Sequence, residues 1–419
     1  MAPRLRVLLS AFAFAPHRGS EPGVGWQAGT RLAQHHDVTL LCGDVAASQP
    51  VRQALDAYFA EHPRIPGLDI VYVAPSPLVQ RLEWLHGHPG FWPLYYQAYR
   101  LWQQQAFTEA QRLHRERAFD IVHHLNIATY REPGYLWRLP VPFFWGPVSG
   151  AGDPPLRFTG IGGARYPLRR LTNFWQKRWA ARSRQAARKA ELTWVISEPD
   201  AALIRRWGGR CEYQCEVGTQ LTGAQTKQRQ SGDALRLVWS GQHLKGKALP
   251  LVLRALAGLQ ENLPWQMEIL GSGRESAAWQ AEAQRLGLSG RLHWRGQLPQ
   301  EQALQIMDAS HALLHSSISE ATGSVLMEAL SLGLPVVCHD ACGMKTAIDS
   351  RCGIKIPLRD PQTSVDGFRA AITRLANDAA LCQRLSQGAL ERAAELTWER
   401  KVARISEAYL RAAAPQAST

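Results

Sequence analysis

The sequence lacks three features that would each define a class of protein. No apolar run approaches the ~18 residues that a membrane-spanning helix needs, so any membrane association is expected to be peripheral. No two aspartates form an Asp-x-Asp pair. The sequence therefore lacks the paired carboxylates that usually bind the Mg²⁺ of a nucleotide–metal complex. The seven cysteines include no Cys-x-x-Cys pair, which argues against a zinc site. We interpret them as reduced thiols of a cytoplasmic protein.

Acidic residues are scarce relative to basic ones. The 419 residues include 48 lysines and arginines against 35 aspartates and glutamates, a net charge of +13. Such a charge favours anionic partners, whether phosphates, lipid head groups or nucleic acid. The length exceeds what one small core supports and predicts two large domains.

The N-terminal residues admit two interpretations. Arg4 and Arg6 precede an apolar run at residues 7–15, a pattern that short signal peptides share. The interpretation we favour is a buried first strand over residues 5–11 that leads into a glycine-rich loop and then a helix.

Short apolar segments alternate with helical stretches along most of the chain, which predicts parallel sheets wrapped by helices. The alternation pauses in a polar stretch at residues 222–233 and restarts with a strand at residues 235–239. We therefore predict an α/β protein of two Rossmann-like domains, residues 1–222 and residues 233–397. The periodicity of residues 398–415 predicts a C-terminal helix that crosses back to the first domain.

The most informative segment lies between residues 316 and 338, where a strand, a polar turn, a helix and a second strand follow one another. Glu320 precedes the helix and Glu328 lies within it. The turn is expected to present free backbone N–H groups at the helix N-terminus, where they can hold a diphosphate. These groups belong to Gly323, Ser324, Val325 and Leu326. A purely structural interpretation is also open, with Glu320 as a helix-start charge and Glu328 as a solvated helix residue.

Glu320, seven residues, Glu328 and the following Ala-Leu-x-x-Gly-x-Pro-Val resemble the signature of family-4 glycosyltransferases. The resemblance implies the GT-B fold, in which two Rossmann-like domains face a cleft, and retaining transfer from a nucleotide-sugar. It also implies Glu320 at the sugar, Glu328 at the ribose and the helix end at the diphosphate. The family's usual Glu-Gly-Phe-Gly is Glu320-Ala321-Thr322-Gly323 here, so the backbone-donor role carries over and a donor preference does not.

A second motif, at residues 241–247, resembles the family's Gly-Arg-x-x-x-x-Lys element, whose two cations stabilise the departing diphosphate. Lys247 occupies the lysine position, and Gln242 occupies the arginine position. A positioned ammonium in a water-poor site stabilises developing charge strongly, so Lys247 is a predicted catalytic residue; the alternative is an exposed lysine at a helix start. Three residues are candidates to replace the missing arginine: Lys245, His243 and Arg18.

The first half of the chain contains two weaker signals. Gly23 and Gly25 follow the first strand, as a nucleotide-facing glycine loop does in this family, and allow close approach of backbone to the donor. A strand at residues 120–123 leads into His123 and His124, where related transferases place a histidine that contacts the transferred sugar. We favour His124 over His123. The structural alternative is a packed, hydrogen-bonded histidine.

The segment from residue 154 to residue 190 contains no acidic residue, and its basic residues alternate with aromatic ones. This pattern is typical of an interfacial helix on anionic lipid. The residues assigned to the membrane or acceptor are Arg169, Arg170, Trp175, Lys177, Arg178 and Trp179. A second aromatic run, from Trp84 to Trp102, adds to the expectation of a lipid-linked acceptor. A solvated helix packed by its aromatic side is the alternative, and nucleic acid is disfavoured because no recognised nucleic-acid module surrounds the segment.

Together with the basic, aromatic segment, the family resemblance implies a bacterial retaining glycosyltransferase that moves a hexose-type sugar from UDP or GDP to a lipid-linked, lipopolysaccharide or exopolysaccharide acceptor. We expect it to need no metal or other cofactor and to lie at the cytoplasmic face of the membrane. Two alternatives stay open at this point. One is a sugar-nucleotide epimerase on a similar scaffold, and the other is a membrane-docked nucleotide-sugar-binding protein with impaired catalysis, for which Gln242 is the hint.

Overall fold

The computed structural model describes residues 3–16, 19–43, 51–86, 88, 94–163, 166–230 and 232–414. By their contacts, the residues form two compact units. The first contains residues 1–151, 176–216 and 398–419, and the second contains residues 152–175 and 217–397.

The first unit is built on a seven-stranded parallel sheet in the order β3-β2-β1-β4-β5-β6-β7. Strands buried on both faces are expected to be apolar runs, and β1, β2, β4 and β5 are buried along nearly their whole length. The strand order reverses between β1 and β4, which places a topological switch point there. The strands are β1 (Arg6–Ala11), β2 (Asp37–Gly43), β3 (Leu68–Val73), β4 (Ile121–Asn126), β5 (Phe143–Val148), β6 (Ala190–Val195) and β7 (Cys211–Tyr213).

In the described part of the chain, eight α-helices lie between β1 and the second unit's first strand. The apolar side of α4 fills the first unit's core with Tyr99 and Trp102, and the Trp102 indole donates a hydrogen bond to the Val73 carbonyl at 2.9 Å. The helices are α1 (Ser20–His35), α2 (Val51–Glu61), α3 (Pro77–His86), α4 (Leu94–Arg117), α5 (Thr159–Gly162), α6 (Tyr166–Arg178), α7 (Ala181–Lys189) and α8 (Glu198–Arg206).

The second unit is built on a six-stranded parallel sheet in the order β10-β9-β8-β11-β12-β13. Its strand order reverses between β8 and β11, which gives a second switch point. The strands are β8 (Leu235–Ser240), β9 (Trp265–Leu270), β10 (Leu292–Gly296), β11 (Ala312–His315), β12 (Val336–His339) and β13 (Gly353–Ile356).

The remaining helices alternate with these strands or follow them. They are α9 (Leu249–Ala257), α10 (Ser276–Arg285), α11 (Gln300–Asp308), α12 (Ser324–Ser331), α13 (Cys342–Ala347), α14 (Pro361–Asn377), α15 (Ala379–Glu395) and α16 (Trp398–Ala413). None of the helices described is long and apolar enough to cross a bilayer.

The predicted α/β fold of two Rossmann-like domains is confirmed, as is the C-terminal helix that returns to the first one. The last helix, α16, belongs to the first unit, where Glu399 forms an ion pair with Arg31 of α1 at 2.9 Å. The predicted first strand also forms as β1.

One segment lies on the other side of the predicted division. Residues 152–175 come from the first half of the sequence and belong by their contacts to the second unit. Phe158 is fully buried in the second unit's core, and its ring lies edge-on to His339. Arg157 in the same segment forms an ion pair with Asp360 at 3.5 Å. Contacts of this segment, including the burial of Phe158, place it in the second unit, and no shift in sequence composition marks the change.

Candidate functional site

The two best-defined sequence motifs meet at the switch point of the second sheet. The loop after β8 contains a short 3-10 turn, Lys245–Lys247, and the loop after β11 leads to α12. The Ser316 hydroxyl donates a hydrogen bond to the Lys247 carbonyl at 2.8 Å, and the Ile318 N–H donates one to the Gly246 carbonyl at 2.9 Å. These bonds tie the two loops together at the carboxyl edge of the sheet, where open α/β folds bind ligands.

Lys247 and Glu320 form an ion pair at this edge, with both side chains half-buried. The Ser317 hydroxyl donates a hydrogen bond to the same Glu320 oxygen at 3.2 Å, and His315 Nε2 lies 3.7 Å from it. Burial acts to raise the pKa of Glu320, but Lys247, His315 and the hydrogen bonds outweigh it and lower that pKa. Burial lowers the pKa of His315 to about 4, so the imidazole is neutral at pH 7. Glu320 is therefore a carboxylate whose charged partner is Lys247.

Glu328 lies farther along α12, in the second turn of the helix. The Gln300 side-chain amide donates a hydrogen bond to one of its oxygens at 3.2 Å. Burial raises the pKa of Glu328, and the bond from Gln300 opposes this shift. The side chain is half-buried, so it is not the fully solvated helix residue of the structural alternative.

The N-terminus of α12 lies beside Glu320, and Gly323 is the residue that directly precedes the helix. Gly323 has φ −61° and ψ 133°, a conformation open to any residue, and a Cβ there would make only ordinary contact with the Glu320 side chain at 3.5 Å. The glycine therefore leaves space at the helix end. One of the four predicted donors is already in use, because the Leu326 N–H bonds to the Gly323 carbonyl at 3.0 Å. The N–H groups at the start of a helix lack intrahelical partners. Among the described residues, the N–H groups of Gly323, Ser324 and Val325 are therefore the ones available to a ligand.

The loops after β8 and β9 pack backbone against backbone. A Cβ at Gly271, which has φ +104°, would lie 2.0 Å from the Gly241 carbonyl oxygen. The glycine after β9 is therefore required for the loop that contains Gln242 to fold as it does. The Gln242 side chain itself is exposed.

The candidates for the missing arginine separate clearly. His243 is buried against three tryptophan rings, and its Nδ1 lies 2.8 Å from the Ser276 hydroxyl. Burial lowers the pKa of His243, so it is not a replacement cation; its ring neighbours are Trp239, Trp279 and Trp294. Lys245 is exposed and lies beside Gly163. A Cβ added to Gly163 would lie 3.6 Å from the Nζ of Lys245. Arg18 lies outside the described residues, and Lys245 is the candidate that the structure leaves in place.

The glycines of the first unit are placed differently from the prediction. Helix α1 begins at Ser20, so Gly23 and Gly25 lie inside its first two turns rather than in an open loop. A Cβ at Gly25 would lie 2.2 Å from the Ala13 carbonyl oxygen. The reason for this glycine is close packing of the helix on the end of β1.

The histidine pair is also placed differently. His123 and His124 are fully buried in β4. His123 Nε2 lies 2.8 Å from the Gly146 carbonyl oxygen, and His124 Nε2 lies 3.3 Å from the Tyr99 hydroxyl. Burial is the main cause that lowers the pKa of His123 to about 3 and that of His124 to about 4. The packed interpretation describes both rings, and the predicted sugar contact of the His124 ring is not supported.

Two polar residues that the sequence did not single out lie at the first sheet's switch point. Asn126 ends β4, and its side chain makes two hydrogen bonds with the Ala13 backbone. Asn126 Nδ2 donates to the Ala13 carbonyl at 2.8 Å, and the Ala13 N–H donates to Asn126 Oδ1 at 3.2 Å. The Ala128 N–H donates to Glu21 Oε1 at 2.8 Å. Both follow strands whose carboxyl ends meet, which is the signal that could have identified them.

Helix α6 exposes its apolar residues. The exposed large side chains around it are Leu168, Leu171, Phe174, Trp175 and Trp179. Arg169 and Arg178 are exposed among them, whereas the Arg170 guanidinium donates a hydrogen bond to the Pro154 carbonyl at 2.8 Å and Lys177 Nζ donates one to the Ala151 carbonyl at 2.5 Å. The aromatic side of α6 is thus uncovered in the described part of the chain, which contradicts the alternative of a helix packed by that side.

The second aromatic run divides between core and surface. Tyr99 and Trp102 are buried in the core, and Trp84 is exposed. Phe91 and Trp92 lie outside the described residues.

Within the described ranges, no three His, Cys, Asp or Glu side chains are grouped so that they could hold a metal ion.

Comparison with known proteins identifies the second half of the chain. Residues 224–392 match the family described as "Glycosyl transferases group 1". The D-inositol 3-phosphate glycosyltransferase of Streptomyces bingchenggensis (strain BCW-1) is 29% identical over 131 residues, 31% of this chain and 28% of that protein. The chain thus matches less than a third of the length of this relative.

Solved structures match over nearly the whole chain. The lipopolysaccharide outer core galactosyltransferase WaaB, in its apo form, has a TM-score of 0.67 at 13% identity, covering 97% of this chain and 99% of that one. Anabaena HepE, in complex with UDP, has a TM-score of 0.59 at 14% identity, covering 96% and 99%. Residues 224–392 therefore form a group 1 glycosyltransferase domain, and the chain has the two-sheet fold of the GT-B glycosyltransferases.

Proposed function

We propose that the protein is a family-4 retaining glycosyltransferase that moves a hexose from a nucleoside diphosphate to a lipid-linked or polysaccharide acceptor. The observation that carries the proposal is the Lys247–Glu320 pair beside the free N-terminus of α12. A cation and unpaired backbone N–H groups are a site for a diphosphate, and a neighbouring carboxylate can accept hydrogen bonds from sugar hydroxyls.

The charges match the needs of the reaction. When the sugar leaves, negative charge accumulates on the diphosphate, and a positioned ammonium stabilises that charge more in the transition state than in the ground state. Lys247 supplies this charge, and Lys245, which is exposed in the same 3-10 turn, is the candidate for a second cation. With these groups in place, the transfer needs no metal ion.

The chemical step follows from the retained configuration. The acceptor oxygen bonds to the anomeric carbon on the face from which the diphosphate departs, as the bond from that carbon to the phosphate oxygen breaks. The proton of the acceptor hydroxyl passes to the departing phosphate oxygen. No side-chain nucleophile is involved, and the protein acts by positioning and charge.

Glu328 is assigned to the ribose. One carboxylate oxygen is held by Gln300, which orients the group, and the other can accept hydrogen bonds from the ribose hydroxyls. UDP and GDP share this ribose, and the UDP bound to Anabaena HepE, which has a similar fold, favours uridine.

The acceptor is proposed to be attached to the cytoplasmic face of an anionic membrane. The support is the exposed face of α6, where leucine and tryptophan side chains lie among arginines, as in interfacial helices. The similarity in fold to a lipopolysaccharide galactosyltransferase agrees with a lipid-anchored glycan as acceptor. Neither the epimerase nor the impaired scaffold gains support from the family match or from the fold.

Thermal unfolding with UDP, GDP and ADP tests the donor site. A nucleotide at 100 times its dissociation constant adds about 2.7 kcal/mol to the free energy of unfolding. We expect UDP or GDP to raise the Tm of the wild type and to have no effect on Glu328→Ala. Glu261→Gln, which changes an exposed carboxylate of the same unit, is the matched control and should respond like wild type. If no nucleotide raises the wild-type Tm, the proposed function is wrong.

The stereochemistry is tested separately, by NMR of the anomeric proton in the product. An inverted product would contradict the retaining mechanism while leaving the donor site intact.

A further inference from the structure

His339 is a buried polar side chain of the second unit with no assigned part in the transfer. It ends β12, and none of its surface is exposed. Its ring lies edge-on to two phenylalanine rings, with 6.5 Å between centroids for Phe158 and 5.4 Å for Phe368. A polar group in such apolar surroundings destabilises the fold unless it is hydrogen-bonded.

Both nitrogens of the His339 ring have hydrogen-bond partners. Nδ1 lies 3.0 Å from the Ser317 carbonyl oxygen, and Nε2 lies 3.0 Å from the Ser364 hydroxyl. A carbonyl oxygen only accepts hydrogen bonds, so Nδ1 carries the proton and donates to Ser317. Burial lowers the pKa of His339 to about 4, and the bond to Ser317 only partly opposes this. At pH 7 the ring is therefore neutral, and Nε2 accepts from Ser364.

The Nδ1 bond reaches the donor site in one further step. Ser317 lies in the loop between β11 and α12, and its hydroxyl donates the 3.2 Å bond to Glu320. This loop is held from both neighbouring strands of the sheet. On the side of β8, the Ile318 N–H bonds to the Gly246 carbonyl, and on the side of β12, His339 bonds to Ser317. The loop that leads to Glu320 is thus fixed between two hydrogen bonds.

Few groups orient the Glu320 carboxylate itself. Within the described part of the chain, its hydrogen bonds come from Lys247 and Ser317. His315 Nε2 lies 3.7 Å away, which is too far for a hydrogen bond, and it has no other partner among the described residues. The direction of the carboxylate therefore depends on where the Ser317 hydroxyl lies.

We propose that His339 is a positioning residue for the donor sugar, because its bond to the Ser317 carbonyl fixes the hydroxyl that orients Glu320. The role rests on the proposed function, which assigns Glu320 to the sugar. Phe158 packs against the imidazole, so the segment of residues 152–175 takes part in the same support of the donor site.

Three substitutions of His339 separate its hydrogen bond from its volume. His339→Asn keeps a side-chain N–H close to the Nδ1 position, His339→Gln places its amide close to the Nε2 position, and His339→Leu has no polar atom. We expect His339→Asn to keep kcat within about threefold of wild type and the other two to lower it about 10- to 100-fold, since Glu320 is displaced. The measurement is release of nucleoside diphosphate at saturating donor. The donor is whichever of UDP-glucose, UDP-galactose and GDP-mannose the wild type binds most tightly.

Binding of the matching nucleoside diphosphate shows whether the loss is confined to the sugar. UDP and GDP carry no sugar, so their Kd should stay within about twofold of wild type in all three variants. The Kd of the nucleotide-sugar should rise about tenfold in His339→Gln and His339→Leu, as expected for one lost hydrogen bond. Calorimetric titration measures both constants.

Two control variants separate positioning from general support of the fold. Ser364→Ala removes the other bond of the imidazole and keeps the Nδ1 bond, so it should lower the Tm and leave kcat within about twofold of wild type. His293→Gln, which changes an exposed histidine of the same unit, should match wild type in both. Ser317→Ala removes the hydroxyl without changing a core ring, and it should lower kcat about tenfold even if a His339 variant fails to fold.

Three results would overturn the inference. One is a wild-type kcat in both His339→Gln and His339→Leu, or in Ser317→Ala. Another is a loss in Ser364→Ala as large as that in His339→Gln, and the third is a Kd for UDP or GDP that rises as much as that of the nucleotide-sugar. Either of the last two would mean that His339 supports the fold and not the sugar contact. A wild type that binds neither UDP nor GDP would instead contradict the proposed function, and the inference would fall with it.

Discussion

The ammonium of Lys247 and the carboxylate of Glu320, 73 residues apart in the sequence, form an ion pair at the switch point of the second sheet. The pair is half-buried and leaves Lys247 close to the open end of α12. The Glu320 carboxylate therefore neutralises the charge of the Lys247 ammonium.

Replacement of Lys247 by methionine should reduce kcat about 10²- to 10³-fold, because the leaving diphosphate loses a positioned charge. Lys247→Arg keeps the charge, so its kcat should fall less than that of the methionine variant. The measurement is release of nucleoside diphosphate at saturating donor. Equal losses in both variants would show that the shape of this side chain matters and its charge does not.

Gly323→Ala should separate ligand binding from folding. The backbone at Gly323 suits alanine, and a Cβ meets only ordinary contacts, so the free energy of unfolding should change by less than about 0.5 kcal/mol. The added methyl group occupies space at the helix end and should weaken UDP or GDP about threefold to tenfold, an effect on the order of 1 kcal/mol. Calorimetric titration and urea unfolding measure the two quantities.

Gly271→Ala is the contrasting control, since its Cβ would lie 2.0 Å from the Gly241 oxygen at φ +104°. It should destabilise the protein by about 2 kcal/mol or more. If Gly323→Ala were as unstable as this control, the glycine at the start of α12 would be structural.

Vesicle co-sedimentation tests the exposed face of α6. Wild-type protein should bind phosphatidylglycerol vesicles and not phosphatidylcholine vesicles, because each basic residue near an anionic surface contributes about 1 kcal/mol. Leu171→Glu combined with Trp175→Glu should weaken binding at least tenfold. Leu221→Glu changes a leucine of similar exposure, 61% against 54% for Leu171, and should have no effect. Unchanged binding of the double variant would exclude α6 as the membrane contact.

The stability of the protein should depend on pH through Glu21. Its pKa is raised from 4.5 to about 8 in the folded state, so between these values the folded state keeps a proton that the unfolded state releases. The free energy of unfolding therefore falls as the pH rises from 4.5 to 8. Glu216 raises the Glu21 pKa, the Ala128 N–H lowers it, and the phenols Tyr95 and Tyr99 lie within reach of the Glu21 charge.

Glu21→Gln removes this titration. From pH 4.5 to pH 8, its free energy of unfolding should therefore fall by about 1–3 kcal/mol less than that of wild type. Urea unfolding at pH 5, 6.5 and 8 measures the difference. Glu61→Gln should retain the wild-type slope, and an identical slope in Glu21→Gln would mean that Glu21 is ionised at pH 7.

The sequence by itself determined the fold class and the two loops that contain Lys247 and Glu320. Alternating apolar segments are sufficient to predict two parallel sheets, because strand and helix periodicity are local properties. The spacing of Glu320 and Glu328 and the position of Lys247 likewise depend on short segments whose backbone course follows from turn and helix signals. These residues lie at one sheet edge because parallel strands bring their carboxyl ends together.

Only the tertiary structure decided the rest. Whether a strand-end histidine faces a ligand or the core depends on what packs against it. Here Tyr99 contacts His124, and the backbone at Gly146 contacts His123. The position of Gly25 depends on contact with Ala13. Residues 152–175 belong to the second unit through contacts that include the burial of Phe158. Glu21 resembles any loop carboxylate in the sequence. Its hydrogen-bond partners are Asn126 at the end of β4 and Ala128 in the loop that follows, both more than 100 residues away. Burial by such distant segments is a property that no local pattern contains.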